Sequence, residues 1–328
     1  MAATCPWCNA PRAAGPTCPG CGANYAKAQQ IRTSGRAQIA QPEPAAAAPL
    51  PPAAKLPLSE EEIKAILGTK DERAVEDPAF EFKLCVAGIP AMLVVALLFH
   101  LVLPGLQRNF LGMPIHELGH ALSAWFCGYF AIPTLWKTIV AAERGWLMPL
   151  VLGGGLGYAI YRAYTAGKML LAVFCGALLA AQAIGTFYIK ESTAQMLFTF
   201  GGDGIGMVLA TLLMCTFFFG KRTQLYKGAL RWGFLAIGAA AFVDMFTIWW
   251  KARTSTSVIP FGEIEGVGLS DPMKLLESHG WSTQVMVSRY VTVGVLCLAA
   301  LALVYAWGVR RAWQKANAEK GSEQLSRR

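Results

Sequence analysis

Residues 84–106 read L-C-V-A-G-I-P-A-M-L-V-V-A-L-L-F-H-L-V-L-P-G-L, without one Asp, Glu, Lys or Arg. A helix needs about 20 apolar residues to cross the hydrocarbon core of a bilayer, and this run supplies them. Further apolar segments follow at 109–131, 146–161, 169–189, 194–220, 229–250 and 286–309. Pro114 interrupts the first of these, and 146–161 is short. The composition agrees: the 328 residues are 55% hydrophobic and 15% charged, whereas about 25% are charged in an ordinary soluble domain. One large soluble globule is excluded. The expected fold is an all-α polytopic membrane protein, with about six transmembrane helices drawn from seven apolar segments.

Loop charge sets an orientation. Residues 221–231 hold Lys221, Arg222, Lys227 and Arg231 with no acid, and residues 310–328 hold six Lys or Arg against two Glu. Both read as cytoplasmic, because positive charge accumulates on that side of membrane helices. Residues 251–289 carry four basic and four acidic residues and suit the outside face. Seven crossings would put the N-terminus outside. Six put both termini in the cytoplasm, with one segment re-entrant or shallow, and six is the expectation for the inner or plasma membrane of a bacterium. The net charge of +9 belongs to membrane flanks and implies no nucleic acid.

Upstream, Cys5, Cys8, Cys18 and Cys21 form C-P-W-C and C-P-G-C pairs. Two such pairs complete a tetrahedral sulfur site for zinc. Residues 1–30 are therefore expected to be a zinc ribbon, too short for a hydrophobic core and folded by its ion, with a surface for a protein partner. Two disulfides are the alternative, but they need an oxidising compartment, and no signal-peptide h-region precedes the cysteines. Residues 31–57 form an Ala/Pro-rich linker. Residues 58–83 contain a short amphipathic helix, capped by Ser59 and Glu62, and a juxtamembrane segment. The membrane domain is 84–309, and 310–328 is a basic cytoplasmic tail.

The chemistry lies in H-E-L-G-H, His116 to His120. Residues four apart share one helix face, so both imidazoles can grip one ion. Glu117 is then placed to take a proton from water at that ion. Ionisable side chains in an apolar segment must face protein or a water-filled cavity. Gln107 and Arg108, before this segment, suggest a notch open to the cytoplasm. A third ligand is required to leave one position for water. Asp203, in F-G-G-D-G-I-G, is the first choice; Asp244 is the rival, with pairing to Arg231 or a polar contact between helices as its other role; Glu191 is weaker. His100 is expected to be packed or interfacial, Gly153–Gly157 to pack helices, and residues 252–284 to sense a partner or cap the cavity, with nothing in the sequence tying them to catalysis. The loop 132–145, with Trp136, Thr138 and Ile139, fits either an edge strand or re-entrant hairpin able to hold an unfolded client by strand addition, or a plain connecting loop with an interfacial Trp anchor.

An H-E-L-G-H-A motif in a membrane segment, followed by an aspartate next to glycine in a later one, resembles the site-2 protease family of intramembrane zinc metalloproteases. The resemblance covers roughly residues 84–220. It implies hydrolysis of a peptide bond in or near the transmembrane segment of a client membrane protein. It also implies His116, His120 and Asp203 as ligands of a catalytic zinc and Glu117 as general base. The family's Leu before Asp-Gly is replaced here by Gly201 and Gly202. Two alternatives stand beside it: a membrane scaffold or inactive homologue recruiting a partner through the ribbon, and a membrane HExxH protease with a glutamate as third ligand.

Overall fold

The computed structural model describes residues 4–5, 10–11, 13–21, 24–26, 78–219, 230–264 and 268–326. Cys8, the linker at 31–57 and the capped helix with Ser59 and Glu62 lie outside the described residues. The chain divides into two compact units, Met1–Ile66 and Leu67–Arg328.

In the first unit, isolated antiparallel bridges join Thr4 to Pro11 and Thr17 to Asn24. Tyr25 is buried with Cys5 and Cys18, and its hydroxyl accepts a hydrogen bond from the Ala13 amide at 3.2 Å.

The second unit is mostly helical. Helix α1 spans Pro78–Val102. A single turn at Pro104–Gln107 and a π-helical turn at Arg108–Gly112 lead into α2, Met113–Phe126. Strands β1 (Tyr129–Pro133) and β2 (Thr138–Arg144) pair antiparallel, with Ala131 opposite Val140 and Ile132 opposite Ile139. There follow α3 (Leu147–Thr165), α4 (Met169–Phe187), α5 (Glu191–Cys215) and α6 (Leu230–Ala252). Short strands β3 (Glu263–Ile264) and β4 (Gly268–Leu269) precede α7 (Asp271–Glu277) and α8 (Thr283–Ser326).

Five helices are long and apolar enough to cross a membrane: α1, α4, α5, α6 and α8. Half or more of the central windows of α5 and α6 is buried (50% and 56%), against 22%, 17% and 22% for α1, α4 and α8. Thus α5 and α6 form the core, while Val94, Leu98, Leu170 and Val173 on the outer helices are exposed. A water-soluble monomer rarely exposes so much contiguous apolar surface.

Helix α1 starts six residues before the predicted boundary because its first turn is anchored. Buried Glu81 takes a two-pronged ion pair from buried Arg231 at 3.1 and 3.3 Å, and Arg231 lies over the Phe217 ring. Asp244 is therefore not the partner of Arg231: it pairs with Arg108 at 3.0 Å and lies 3.7 Å from His100. Helix α8 runs past residue 309, its basic stretch continuing as helix with Ala312 and Ala316 buried one turn apart.

Contacts define two ends of the bundle. The starts of α1 and α6 meet through Glu81 and Arg231; nearby, Phe219 after α5 stacks on Trp307 of α8, and Tyr305 donates to the Val86 carbonyl at 2.8 Å. This is the basic end. Val102, Glu191, Ala252 and Thr283 mark the opposite end.

The chain leaves α1 there and turns back inward. Gln107, fully buried, donates to the Ala240 carbonyl at 2.9 Å, and Gly112 lies against Asp244, halfway down α6. Helix α2 then climbs back, its Ala121 and Ala124 packing with Ala194 at the start of α5. Thus α2 enters and leaves from the same end. The π-turn at its base re-aims the helix, a recurrent role of such turns near functional sites.

Glycine lets α2 approach α5: a side chain on Gly119 would strike the backbone of Gly201, Gly202 and Gly206. Close helix contact through small residues is typical of membrane helices. Of the glycines at 153–157 predicted to pack helices, Gly153 lies against Gln182 and Leu179 of α4, while Gly154, Gly155 and Gly157 face open space among the described residues.

Candidate metal centre

His116 and His120 are one turn apart on α2, and both face α5. Their Nε2 atoms are 3.0 Å apart. Each Nδ1 is held from behind. Nδ1 of His116 lies 2.8 Å from Asp203 Oδ1, and Nδ1 of His120 lies 2.6 Å from the Phe198 carbonyl. The other oxygen of Asp203 accepts from the indole of Trp249 at 2.7 Å. That indole is stacked on Tyr290 at 4.0 Å between centroids, so both oxygens of Asp203 have buried partners.

Asp203 therefore stands on the far side of His116 from the Nε2 pair. The carboxylate beside that pair is Asp271, at the start of α7, with Oδ2 3.2 Å from His116 Nε2 and 3.0 Å from His120 Nε2. Potential ligand atoms of His116, His120 and Asp271 all lie within 4.8 Å of one another, so this group could hold a metal ion. Burial opposes ionisation of Asp271, but the facing imidazoles of His120 and His116 outweigh it and hold its carboxyl well below the usual carboxylate range. Residues 252–284 thus cap the cavity, one of the roles expected for them, and through Asp271 they also reach the HELGH histidines. The site lies toward the end of the bundle opposite the basic tail, and Arg108 lines its cavity.

The donor set fits zinc. Tetrahedral zinc with bonds of about 2.0–2.1 Å needs ligand atoms about 3.3 Å apart, and the three separations here are 3.0, 3.0 and 3.2 Å. In the N-terminal unit, Cys5, Cys18 and Cys21 form a second group that could hold a metal. Cys5 and Cys21 sulfurs are 3.9 Å apart, close to the roughly 3.8 Å edge of a thiolate site with 2.3 Å bonds.

Glu117 is buried and lines a cavity of about 760 Å³ together with His116, His120, Trp136, Thr138 and Asp271. Thr138 Oγ1 lies 2.7 Å from Glu117 Oε2 and 2.8 Å from the Glu117 carbonyl, so its one proton is shared between the carboxylate and the backbone of the same residue. Thr138 thereby holds Glu117, a role that its predicted one in substrate binding did not include. Trp136 and Ile139 are exposed on the hairpin. Asp244 belongs to the Arg108 pair, and Glu191 is exposed, accepting from Gln195 at 3.2 Å. Neither is in the grouped set. His100 is packed, 3.1 Å from the Thr247 hydroxyl.

Asp271 was not identified from sequence. Its only local signal is S-D-P at 270–272, an N-cap followed by Asp and Pro in a first helical turn. Trp249 and Phe198 carry no signal. Thr138→Val removes the hydroxyl at nearly constant volume. It is expected to slow turnover roughly tenfold, the scale of a positioning contact, with metal content unchanged; an unchanged rate would show that Glu117 needs no such support.

Comparison of the chain with protein-family models, with curated proteins and with solved structures finds no match. The class defined by fold and site is a polytopic helical protein with a histidine–carboxylate group able to hold a metal ion.

Proposed function

We propose that the protein is an intramembrane zinc metalloprotease, similar to the site-2 protease family, that hydrolyses a peptide bond in or near the transmembrane segment of a client protein. The observation that carries this is the histidine pair: two Nε2 atoms 3.0 Å apart, each ring fixed through Nδ1, beside a buried glutamate on the same helix. A purely structural metal site has no use for that glutamate. Zinc, when bound, supplies Lewis-acid chemistry, making water acidic enough to attack at neutral pH and polarising the carbonyl. Glu117 accepts the proton from water and returns it to the leaving amine. Thr138 aims the carboxylate during both transfers. Asp203 and the Phe198 carbonyl keep the imidazoles in place.

Six crossings, α1, α3, α4, α5, α6 and α8, account for the path if α2 is re-entrant. Both flanks of the membrane domain then lie at the basic, cytoplasmic end of a bacterial inner or plasma membrane, and the cavity faces the other side. Client helices have their carbonyls hydrogen-bonded, so local unwinding precedes cleavage. The two-stranded sheet leaves β2 beside the cavity with an open edge, suited to receive an unwound client as an added strand. In the N-terminal unit, Cys5, Cys8, Cys18 and Cys21 would hold a structural zinc, and the resulting ribbon would bind a protein partner.

The test uses the purified full-length chain with a synthetic single-span peptide carrying a Gly-Pro break and a fluorophore–quencher pair. Cleavage is expected to stop when a chelator removes the metal and to return on adding zinc. Cleavage insensitive to metal removal, or none by the zinc-loaded chain, would overturn the proposal.

A further inference from the structure

We infer, resting on the metal-pair reading proposed above, that Asp271 completes the metal site and that Asp203 is a positioning residue for His116. The hydrogen-bond network leads there. The Phe198 carbonyl can only accept, so Nδ1 of His120 carries a proton. Asp203 accepts from the Trp249 indole through Oδ2, and its Oδ1 faces Nδ1 of His116. With each Nδ1 engaged from behind, the two Nε2 atoms are the ring atoms turned toward each other and toward Asp271.

Asp271 adds a carboxylate oxygen to them, at 3.0 and 3.2 Å. With the two Nε2 atoms 3.0 Å apart, three potential ligand atoms converge on one point. The nearly equilateral triangle has the size that tetrahedral zinc requires. Asp203, by contrast, occupies the outer place of a carboxylate–histidine–metal arrangement, which fixes the tautomer and raises ligand basicity.

The cap also holds Asp271 in place. Ser270 and Pro272 flank it in buried positions, and Leu275 of α7 is fully buried. Trp281, after α7, is buried against Phe200 of α5, with ring centroids 5.7 Å apart. Lys274 Nζ lies 3.4 Å from Oδ1 of Asp271, which leaves Oδ2 directed at the histidines. The ligand therefore comes from the segment joining α6 to α8, outside both membrane helices that carry the sequence motifs.

Metal-free full-length protein in detergent is titrated with Co2+. A thiolate site gives an intense near-ultraviolet charge-transfer band, whereas a nitrogen–oxygen site gives visible bands without it, so the two sites are read separately. Asp271→Ala is expected to weaken the visible-band site by at least about a hundredfold, and Asp271→Glu to restore most of that loss. Asp203→Asn should keep the band with affinity lowered about 10–100-fold, as for residues behind a ligand. The thiolate band and an unchanged helical circular-dichroism signal report intact folding in each variant.

Unchanged binding in Asp271→Ala, with loss of the band in Asp203→Ala, would overturn the inference and make Asp203 the ligand. Unchanged binding with faster peptide cleavage would also overturn it, making Asp271 an inhibitory plug. His116→Ala keeps the two levels apart. If it too leaves the visible band intact, or if the parent chain shows no such band, the metal pair itself fails.

Discussion

Glu117→Gln is expected to lower peptide hydrolysis by about 10²–10⁴-fold, the usual contribution of a general base, and to leave the metal bound. The substitution preserves shape and an oxygen able to accept from Thr138, whose hydroxyl now lies 2.7 Å from the carboxylate. It removes only the capacity to take up a proton. Metal retention follows because Glu117 is outside the group of converging ligand atoms. Cleavage rate and metal per chain should be measured on the same preparation. Wild-type cleavage would dismiss Glu117 as the base. Simultaneous loss of metal and activity would make it a ligand instead.

Gly202→Ala is expected to abolish metal binding at the histidine pair, with a loss of affinity of at least about a hundredfold. The new methyl would lie 2.5 Å from His116 Cε1 and 2.6 Å from His120 Nε2. Neither ring can retreat, since Asp203 and the Phe198 carbonyl hold both from behind. The overpacking should also cost about 1–3 kcal/mol of stability. Gly119→Ala acts on the same crossing from the other side, against the Gly202 carbonyl at 2.8 Å and the Gly206 amide at 2.9 Å. Backbone cannot rotate out of the way as a flexible side chain can, so α2 would have to move off α5.

Gly154→Ala supplies the control. Its methyl meets nothing within 4 Å, and alanine is the better helix former by about 0.5–1 kcal/mol. Thermal unfolding in detergent and Co2+ titration separate the cases. Wild-type metal affinity in Gly202→Ala would mean that the rings are not locked as described.

Much of this protein was legible in its amino-acid order because membrane helices are local objects. Their length and apolarity are dictated by the bilayer, and 84–106, 169–189, 194–220, 229–250 and 286–309 each correspond to a long apolar helix. The fourfold spacing of His116 and His120 is local too, and it puts both imidazoles on one face. An edge strand or hairpin was one reading of the loop 132–145, from its β-branched residues; β1 begins earlier, at Tyr129, inside the stretch read as the apolar segment 109–131. Long-range pairings were not legible. Arg231 was one of two partners offered for Asp244, yet it pairs with Glu81, 150 residues away, while Asp244 makes the interhelical contact, with Arg108. Asp203 stood out as a rare acid in an apolar helix, which identifies a polar contact without saying which ring nitrogen it serves.

Sequence by itself determined the class of fold, the positions of its spans, the histidine–glutamate motif and the cysteine pairs. All of these arise from periodicity and spacing within a few turns of chain. Only the tertiary structure decided that α2 enters and leaves from one end, that Thr138 holds Glu117, and that Asp271 faces the Nε2 pair while Asp203 stands behind it. Those features depend on distances across 21, 87 and 155 residues of chain. Spacing in sequence carries no metric at that range; packing of glycine against glycine, and of the α7 segment onto α5, supplies it.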